Sequence, residues 1–334
     1  MKRLCSSDWQ LDHNPRDRYR TDFVVNALPE LIKKYNVDQL LMIGDVTENK
    51  DNHPAQLVNE IVDAFYNLSQ LCEVIILEGN HDYLHEAHPF FAFLSKFKNV
   101  EWIGKPAVRD NCLFLPHTRD YKTEWKDVDL IKDYSFIFAH NIFTGVNAAN
   151  GFALSGIPPN IFPESATVIS GDVHDPQVMA DGKIIYVGSP CLCSFGDNYQ
   201  PRVLLLDDLK IKSIKVYGQQ KRLINCAVNR IAGKRELAFD HNANENDIVK
   251  IQTSLTTEDV AEWATIREEV EKWAIQNKFI VNSIIPIVEF VQGERQKATK
   301  SFKKSDEQYL NALVSRQSVD EKTSEVGKQI IELI

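Results

Sequence analysis

Short apolar runs recur along the first part of the chain, and each has the length of a buried β-strand. They predict five strands, over Gln39–Ile43, Val74–Leu77, Ser135–Ala139, Thr167–Ser170 and Lys183–Val187. Between the first two runs, apolar residues recur with a helical period and predict an amphipathic helix over Gln56–Leu71. Strands that alternate with helices pair in parallel through crossover connections, so the pattern predicts a layered α/β core.

The pattern changes after residue 206. Lys210–Tyr217 alternates apolar with polar residues, which is typical of an antiparallel edge strand. After a polar loop the chain predicts a strand at Ile248–Gln252, a helix at Thr257–Asn277 and a strand at Ile284–Val291. These three elements predict a small α+β domain of accessory size.

Three parts follow from this change of pattern. We predict a large α/β domain over residues 1–217, a small domain over 218–292, and a basic linker with a helical tail over 293–334. Val326, Ile330 and Leu333 share one helical face of that tail. Such a face either binds a groove on a partner or packs on its own domain, and the sequence leaves both open.

The composition is that of a globular protein with a large core. Of 334 residues 43% are hydrophobic and 25% are charged, and no apolar run reaches the ~18 residues of a membrane span. The N-terminus has no leader pattern and the six cysteines form no C-x-x-C pair, so we expect a cytoplasmic protein with reduced thiols. The net charge of −9 gives no general attraction to nucleic acid, so DNA contacts require a local basic surface.

Five short polar clusters follow apolar runs, at the strand ends that face one crevice in an open α/β sheet. They are Asp8-Trp9-Gln10, Gly44-Asp45-Val46-Thr47-Glu48, Gly79-Asn80-His81-Asp82, His140-Asn141 and Gly171-Asp172-Val173-His174. A single cluster of this kind is ordinary turn chemistry, whereas five in series, all with oxygen or nitrogen donors, predict a metal site. The glycines that precede Asp45, Asn80 and Asp172 are expected to permit sharp turns.

In order and spacing these clusters resemble the motifs of the calcineurin-like metallophosphoesterases, and the resemblance extends to about residue 205. It implies a layered metallophosphoesterase sandwich with parallel and mixed sheets and flanking helices, and a hydrolase with two divalent metal ions. Carried over by position, one ion is held by Asp8, Gln10, Asp45 and His174. The other is held by Asn80, His140, Asp172 and the bridging Asp45.

The resemblance also assigns catalytic residues. His81 matches the family residue that stands over the phosphate, where an imidazole stabilises charge or protonates the leaving oxygen. Glu48, three residues after Asp45, orients water, contacts a metal ion or is an ordinary surface acid. Gln10 and Asp172 stand where the family has histidine. Both departures exchange nitrogen for oxygen and favour Mn²⁺, or Mg²⁺, over Zn²⁺, and the competing interpretation is decay to a non-catalytic scaffold.

Within the family the chain is most similar to SbcD-type nuclease subunits of double-strand-break repair. The segment Tyr186–Asp197 and the small domain, placed like their DNA-capping domain, carry this likeness. It implies an exo/endonuclease for DNA recombination and repair, an SMC-type ATPase partner, and pairing as a homodimer. The cations Arg295, Lys297 and Lys300 would contact DNA or belong to a solvated linker. A phosphomonoesterase or cyclic-nucleotide phosphodiesterase with a small substrate is the alternative enzyme.

Overall fold

The computed structural model describes residues 1–84, 89–148, 151–231 and 234–288. Its strands are β1 (Lys2–Ser6), β2 (Gln39–Ile43), β3 (Glu73–Leu77), β4 (Val100–Ile103), β5 (Ala107–Arg109), β6 (Cys112–Leu115), β7 (Phe136–His140), β8 (Val168–Gly171), β9 (Val178–Met179), β10 (Ile184–Tyr186), β11 (Arg202–Asp207), β12 (Lys210–Lys215), β13 (Lys221–Ile231), β14 (Lys234–Asp240), β15 (Ile248–Leu255) and β16 (Ile280–Val288). Its α-helices are α1 (Arg18–Asp22), α2 (Leu28–Tyr35), α3 (Ala55–Ser69), α4 (Tyr121–Glu124) and α5 (Trp263–Gln276).

The described chain divides into two compact units. The first comprises Met1–Leu223, His241–Lys250 and Asn277–Asn282, and the second comprises Ile224–Asp240, Ile251–Gln276 and the residues from Ser283 onward. Among the helices that the structure describes, none is long and apolar enough to cross a membrane. The predicted cations Arg295, Lys297 and Lys300, and the predicted tail helix, lie outside the described residues.

The first unit contains two six-stranded sheets. Their strand orders are β12-β11-β1-β2-β3-β4 and β5-β6-β7-β8-β10-β9. Strands β1 to β4 are parallel in the first sheet, as are β6, β7, β8 and β10 in the second, and antiparallel strands flank both groups. The mixed sheets with flanking helices confirm the predicted α/β class, and β12 is the antiparallel edge strand that the alternating pattern predicts.

The central strands are apolar on both faces because each face packs against a different layer. In β2, Leu40 and Met42 belong to the core that includes Leu57 of α3. The residues on the other face of β2, Leu41 among them, belong to a second core that includes Phe138 of β7. Strands buried on both sides appear in the sequence as continuous apolar runs, which is why the five predicted strands are all present within one or two residues of their predicted ends.

The second unit includes most of a four-stranded sheet with the order β14-β13-β15-β16. The predicted helix begins as a short 3₁₀ turn at Asp259–Glu262 and continues as α5, which buries Ile266, Val270 and Ala274. Strands β13 and β14 were not predicted. They form an antiparallel hairpin in which exposed residues interrupt the apolar pattern, so no run of apolar residues marks them.

The two sheets of the first unit meet at the edge where their parallel strands end. His140 Nδ1, at the end of β7, lies 2.7 Å from the carbonyl oxygen of Ile43 at the end of β2. Gly44 has a φ of 79° and so makes the predicted sharp turn. Gly79 and Gly171 are needed for a different reason: a Cβ on Gly171 would lie 2.1 Å from Ser7 Oγ, and one on Gly79 would lie 2.3 Å from an Asp45 carboxylate oxygen. Glycine at these two positions allows close approach rather than a turn.

We expect the Gly171→Ala substitution to destabilise the protein by about 2–3 kcal/mol, because the added methyl group overpacks the junction of the two sheets. The measurement is the free energy of unfolding from urea titration. Gly196→Ala is the matched control, since its Cβ would have only an ordinary contact, 3.7 Å from Ser194 Oγ. Equal stability of the two variants would contradict this account of the junction.

Candidate metal centre

Three of the predicted ligands converge at the edge where the sheets meet. Asp8, Asp45 and His140 are all buried, and each offers a donor atom within 4.8 Å of the others. Asp45 lies at the middle of the group, with its Oδ1 3.3 Å from His140 Nε2. Asp8 and Asp45 come from the first sheet and His140 from the second, so the group exists only because the sandwich forms.

His140 is held with one ring nitrogen directed at the carboxylates. Its Nδ1–H donates to the Ile43 carbonyl, so in the neutral ring Nε2 carries the lone pair. That lone pair faces an oxygen of Asp45, and two groups with lone pairs repel unless a cation lies between them. A backbone carbonyl that fixes the tautomer in this way is the usual support of a histidine ligand.

Two amides complete the surroundings of Asp45. Gln10 Nε2 donates to Asp45 Oδ2 at 2.7 Å, and Gln10 Oε1 is buried with no hydrogen-bond partner in the part of the chain that the structure describes. The amide nitrogen of Asn80 can donate to His140 Nε2 at 3.0 Å and to the two Asp45 oxygens at 3.2 and 3.3 Å. Both amides therefore present positive N–H groups to the acceptors, and each carries an oxygen that is a hard metal donor. This donor set fits a divalent cation.

Four residues of the centre have a left-handed backbone, which L-residues rarely adopt. They are Asp8, Gln10, Asp45 and Asp172, with φ angles of 52°, 49°, 62° and 79°. Each such residue costs about 1–2 kcal/mol, so the surrounding structure must hold it in place. The Asp8 N–H donates to the Gly44 carbonyl at 3.0 Å, and the Gln10 N–H donates to the Asp45 carbonyl at 3.2 Å. Strain concentrated in this way is typical of functional sites.

The pKa values at the centre depend on burial and on the positive charge of the protonated His140 ring. Burial raises the pKa of Asp8 to about 6, although His140 and His174 oppose the shift. Burial also opposes ionisation of Asp45, but the charge and hydrogen bond of His140 outweigh it and lower the pKa of Asp45 to about 2. Burial disfavours the charged form of His140, yet Asp45, Asp8 and Asp172 raise its pKa well above the ordinary value. The carboxylates thus favour a positive charge at this point, which either a protonated His140 or a bound metal ion would supply.

Asp172 and His174 lie beside this group rather than in it. The Asp172 N–H donates to Asp8 Oδ1 at 3.2 Å, so its backbone supports the centre directly. The pKa of His174 is raised to about 10, because its hydrogen bond with Cys193 and the nearby acids, Asp8 among them, outweigh burial. Both half-buried side chains line a cavity of about 320 Å³. Their assignment as ligands stays a prediction.

The two predicted catalytic residues are linked to each other. His81 N–H donates to Asp45 Oδ1 at 2.9 Å, and His81 Nδ1 lies 2.5 Å from the Glu48 carbonyl oxygen. This carbonyl requires a proton on Nδ1, which leaves Nε2 as the atom that faces the centre, 4.0 Å from Asp45 Oδ2. Glu48 therefore positions His81 through its backbone, while its carboxylate pairs with Arg20 at 3.1 Å.

Asp82 has a role that the sequence did not assign. Its buried carboxylate accepts three backbone hydrogen bonds, from Asp45 at 2.8 Å, Val46 at 3.0 Å and Gly79 at 2.9 Å. It thereby ties the loop after β2 to the loop after β3, which carry two of the predicted ligands. The sequence contained one signal for this role, the acid at the end of the Gly79-Asn80-His81-Asp82 cluster. A carboxylate that is buried there needs hydrogen-bond donors, and backbone N–H groups of the loops are the nearest ones.

Arg20 was also missed, because no motif contains it. Its guanidinium is 4% exposed and donates to the Gln10 carbonyl at 2.6 Å and to the Cys193 carbonyl at 2.9 Å, besides its bond to the Glu48 carboxylate. Asp17, at 3.2 Å, balances its charge from the turn before α1. Arg20 therefore holds together three loops that surround the centre. Its position in the middle of a polar helix gives no hint of this in the sequence.

We expect Arg20→Met to lower the free energy of unfolding by about 3 kcal/mol or more, since it leaves buried acceptors without their donor. Affinity for Mn²⁺ should fall by about tenfold, the usual effect of removing a group that supports a ligand. The measurements are urea unfolding and isothermal titration calorimetry. Arg109→Met is the control, because Arg109 is 49% exposed and pairs only at the surface with Glu101. Equal losses in the two variants would contradict the role of Arg20.

Three solved structures illustrate what the fold resembles, each with a low TM-score. An archaeal phosphodiesterase is 16% identical, with a TM-score of 0.36 over 65% of this chain and 100% of its own. The nuclease MPE of Pseudomonas putida is 14% identical, with a TM-score of 0.36 over 64% of this chain and 87% of its own. A dimetal phosphatase from Danio rerio is 11% identical, with a TM-score of 0.36 over 65% of this chain and 99% of its own.

No curated protein matches the sequence. The family described as Calcineurin-like phosphoesterase matches residues 1–206, which is more than half of the chain and contains every residue of the centre. The family uses divalent metals, in agreement with the convergent donors of Asp8, Asp45 and His140. The chain therefore belongs to the calcineurin-like phosphoesterase family and has the fold of a metal-dependent phosphoester hydrolase.

Proposed function

We propose that this protein is a phosphodiesterase that cleaves DNA with Mn²⁺ as its preferred ion. The observation that carries the proposal is the buried group of Asp8, Asp45 and His140, which lies at the strand ends of a phosphoesterase domain. A scaffold protein has no need of two buried carboxylates held in left-handed backbone conformations. The retained donors therefore favour an active enzyme over a decayed subunit.

The ligand sets follow the resemblance, and the geometry supports them at Asp8, Asp45 and His140. Asp8, Gln10, Asp45 and His174 would hold one ion, and Asn80, His140 and Asp172 would hold the other together with Asp45. Ions held by these residues would neutralise phosphate charge and lower the pKa of a bound water. Asp45 is suited to bridging because its two oxygens face different neighbours, Gln10 at 2.7 Å and His140 at 3.3 Å.

His81 is placed to move a proton. With Nδ1–H fixed on the Glu48 carbonyl, its Nε2 is the atom that can accept a proton and return it to a leaving oxygen. The side chain is 30% exposed, so it can reach a substrate that enters from solvent. Glu48 contributes as a positioning residue, because its carbonyl sets the tautomer of His81 and its carboxylate is engaged by Arg20.

Two features favour DNA over a small phosphoester. The second unit extends the chain beyond the family domain, at the place where SbcD-type nucleases have their DNA-capping domain. The segment Tyr186–Asp197, which resembles the same nucleases, contributes the carbonyl of Cys193 to the network around Arg20. The repair role, the SMC-type ATPase partner and homodimer formation rest on the resemblance and stay predictions. The cytoplasmic location rests on the N-terminal and cysteine patterns and also stays a prediction.

We expect the purified full chain to degrade labelled linear DNA with Mn²⁺, more slowly with Mg²⁺, and not with chelator. Asp45→Asn should lower the rate by about 10³-fold or more, since it removes the charge that both ion sites share. The control is Asp63→Asn, an exposed acid on α3, which should retain the wild-type rate. Gel analysis of single-stranded and double-stranded substrates gives the rates.

Each result of this assay has a clear meaning. Wild-type activity in Asp45→Asn would rule out the shared-ligand site. Hydrolysis of p-nitrophenyl phosphate without cleavage of DNA would instead identify a phosphomonoesterase with a small substrate. Absence of hydrolysis with every ion and ester would support the scaffold interpretation.

The oxygen-rich donor set predicts a metal preference. We expect Gln10→His, which restores a nitrogen donor, to raise affinity for Zn²⁺ relative to Mn²⁺ by about tenfold. Gln10→Asn keeps an amide oxygen and is the control, with the Mn²⁺ preference retained. Calorimetric titration of each variant with both ions gives the ratio. An unchanged ratio in Gln10→His would show that Gln10 does not contact the ion.

A further inference from the structure

A cavity of about 270 Å³ adjoins the metal centre within the first unit. We call it the side cavity. Its lining includes Glu78, Tyr83, Lys105, His117, Arg119 and Trp125. They come from the segments that follow β3, β4 and β6, at the same edge of the sheets as the predicted ligands. None of them belongs to the predicted ligand set or to the proposed catalytic residues.

Backbone contacts fix the side cavity against the centre. The His117 N–H donates to the Glu78 carbonyl at 2.9 Å, two residues before Asn80. The Thr118 N–H donates to Asn141 Oδ1 at 3.0 Å, directly after His140. His117 is close enough to Asp45 and His140 to interact with them electrostatically. A substrate whose phosphate lies at the centre therefore has this cavity next to it.

The walls combine planar groups with unpaired polar atoms. Arg119 lies over the ring of Tyr83, with its guanidinium carbon 4.5 Å from the ring centroid, so the two planar groups make a cation–π contact. His117 Nδ1 is buried and has no hydrogen-bond partner among the described residues. Glu78 is 4% exposed and keeps one carboxylate oxygen 3.2 Å from Trp102 Nε1. A buried polar atom without a partner is costly unless a ligand supplies one.

From these contacts we infer that the side cavity binds the nucleotide next to the scissile phosphodiester, with its base stacked on the Tyr83–Arg119 pair. This inference rests on the proposed function and names the part of the DNA that the site recognises. The volume is near the lower end of ligand pockets, about 300 Å³, and suits one nucleotide rather than a duplex. The bound nucleotide is therefore unstacked from its neighbours.

The chemistry of the lining selects a nucleobase over other occupants. A base offers a flat face for stacking, which is sequence-tolerant, and an edge with donors and acceptors for His117 and Glu78. A bare phosphate would lie against the acids Glu78 and Glu124, which also line the cavity. A purely apolar group would leave His117 Nδ1 unpaired. Arg119 supplies positive charge for the sugar–phosphate chain that enters with the base.

The test uses the full-length protein with Mn²⁺ and a single-stranded oligonucleotide that has one abasic site, moved along the strand in a series. In the wild type, KM should rise about tenfold when the abasic site occupies the nucleotide next to the cleaved bond. Tyr83→Ala should raise KM for the intact strand by a similar factor and abolish the abasic penalty, since both changes remove one stacking contact. Tyr83→Phe keeps the aromatic ring and should therefore show the wild-type increase in KM with the abasic strand.

Tyr66→Ala is the matched control for loss of a partly exposed tyrosine. Tyr66 lies on α3, is 52% exposed and contacts Phe97, away from the cavity. It should keep the wild-type KM and the wild-type abasic penalty. Melting curves of each variant report that it is folded.

Two failures can be told apart. Hydrolysis of bis(p-nitrophenyl) phosphate by the wild type without cleavage of any oligonucleotide would sink the DNA function and this inference with it. Alternatively, a folded Tyr83→Ala variant could cleave the oligonucleotide with an unchanged KM or with the abasic penalty retained. Either result would overturn the side cavity's role and leave the proposed function intact.

Discussion

The hydrogen bond from His140 to the carbonyl of Ile43 is the contact on which the centre depends. It joins the end of β7 to the end of β2, at 2.7 Å, and so couples the two sheets of the first unit. The same bond fixes the ring so that its free nitrogen faces Asp45. Gly44 and Gly171 have no side chain to keep the strands apart at this point. Packing and ligand geometry are therefore set by one interaction, and a change in either disturbs the other.

Burying two carboxylates so close together is unfavourable, and the surroundings show how the cost is offset. Amide N–H groups of Gln10 and Asn80 face Asp45, and Asp82 and Arg20 satisfy the backbone of the loops that carry the donors. These groups hold the loops in conformations that the chain would otherwise avoid. The backbone that carries the donors is thus held in place before a cation binds, while the two amides would have to rotate to turn their oxygens toward it.

A net charge of −9 does not favour DNA in general, so the DNA binding that we propose requires a local surface. In the second unit, Arg230 and Arg235 pair with Asp259, Glu262 and Glu269, which reduces the charge they present. The side cavity offers instead the cation–π pair of Tyr83 and Arg119 beside the centre. Stacking needs little net charge, so the proposed binding of an unpaired nucleotide is compatible with the acidic composition.

The sequence by itself determined the strands buried on both faces, such as β2, because their apolar runs depend only on local pattern. It also marked the donors Asp8, Asp45 and His140, since polar residues at strand ends are visible without coordinates. Only the tertiary structure revealed Arg20 and His117, which meet the centre through contacts between residues far apart in the chain. It also showed that Asp8, Asp45 and His140 converge, whereas His174 lies beside this group and its role as a ligand stays a prediction. Hydrophobic period is a local property, whereas the meeting of side chains from two sheets is fixed by how those sheets pack.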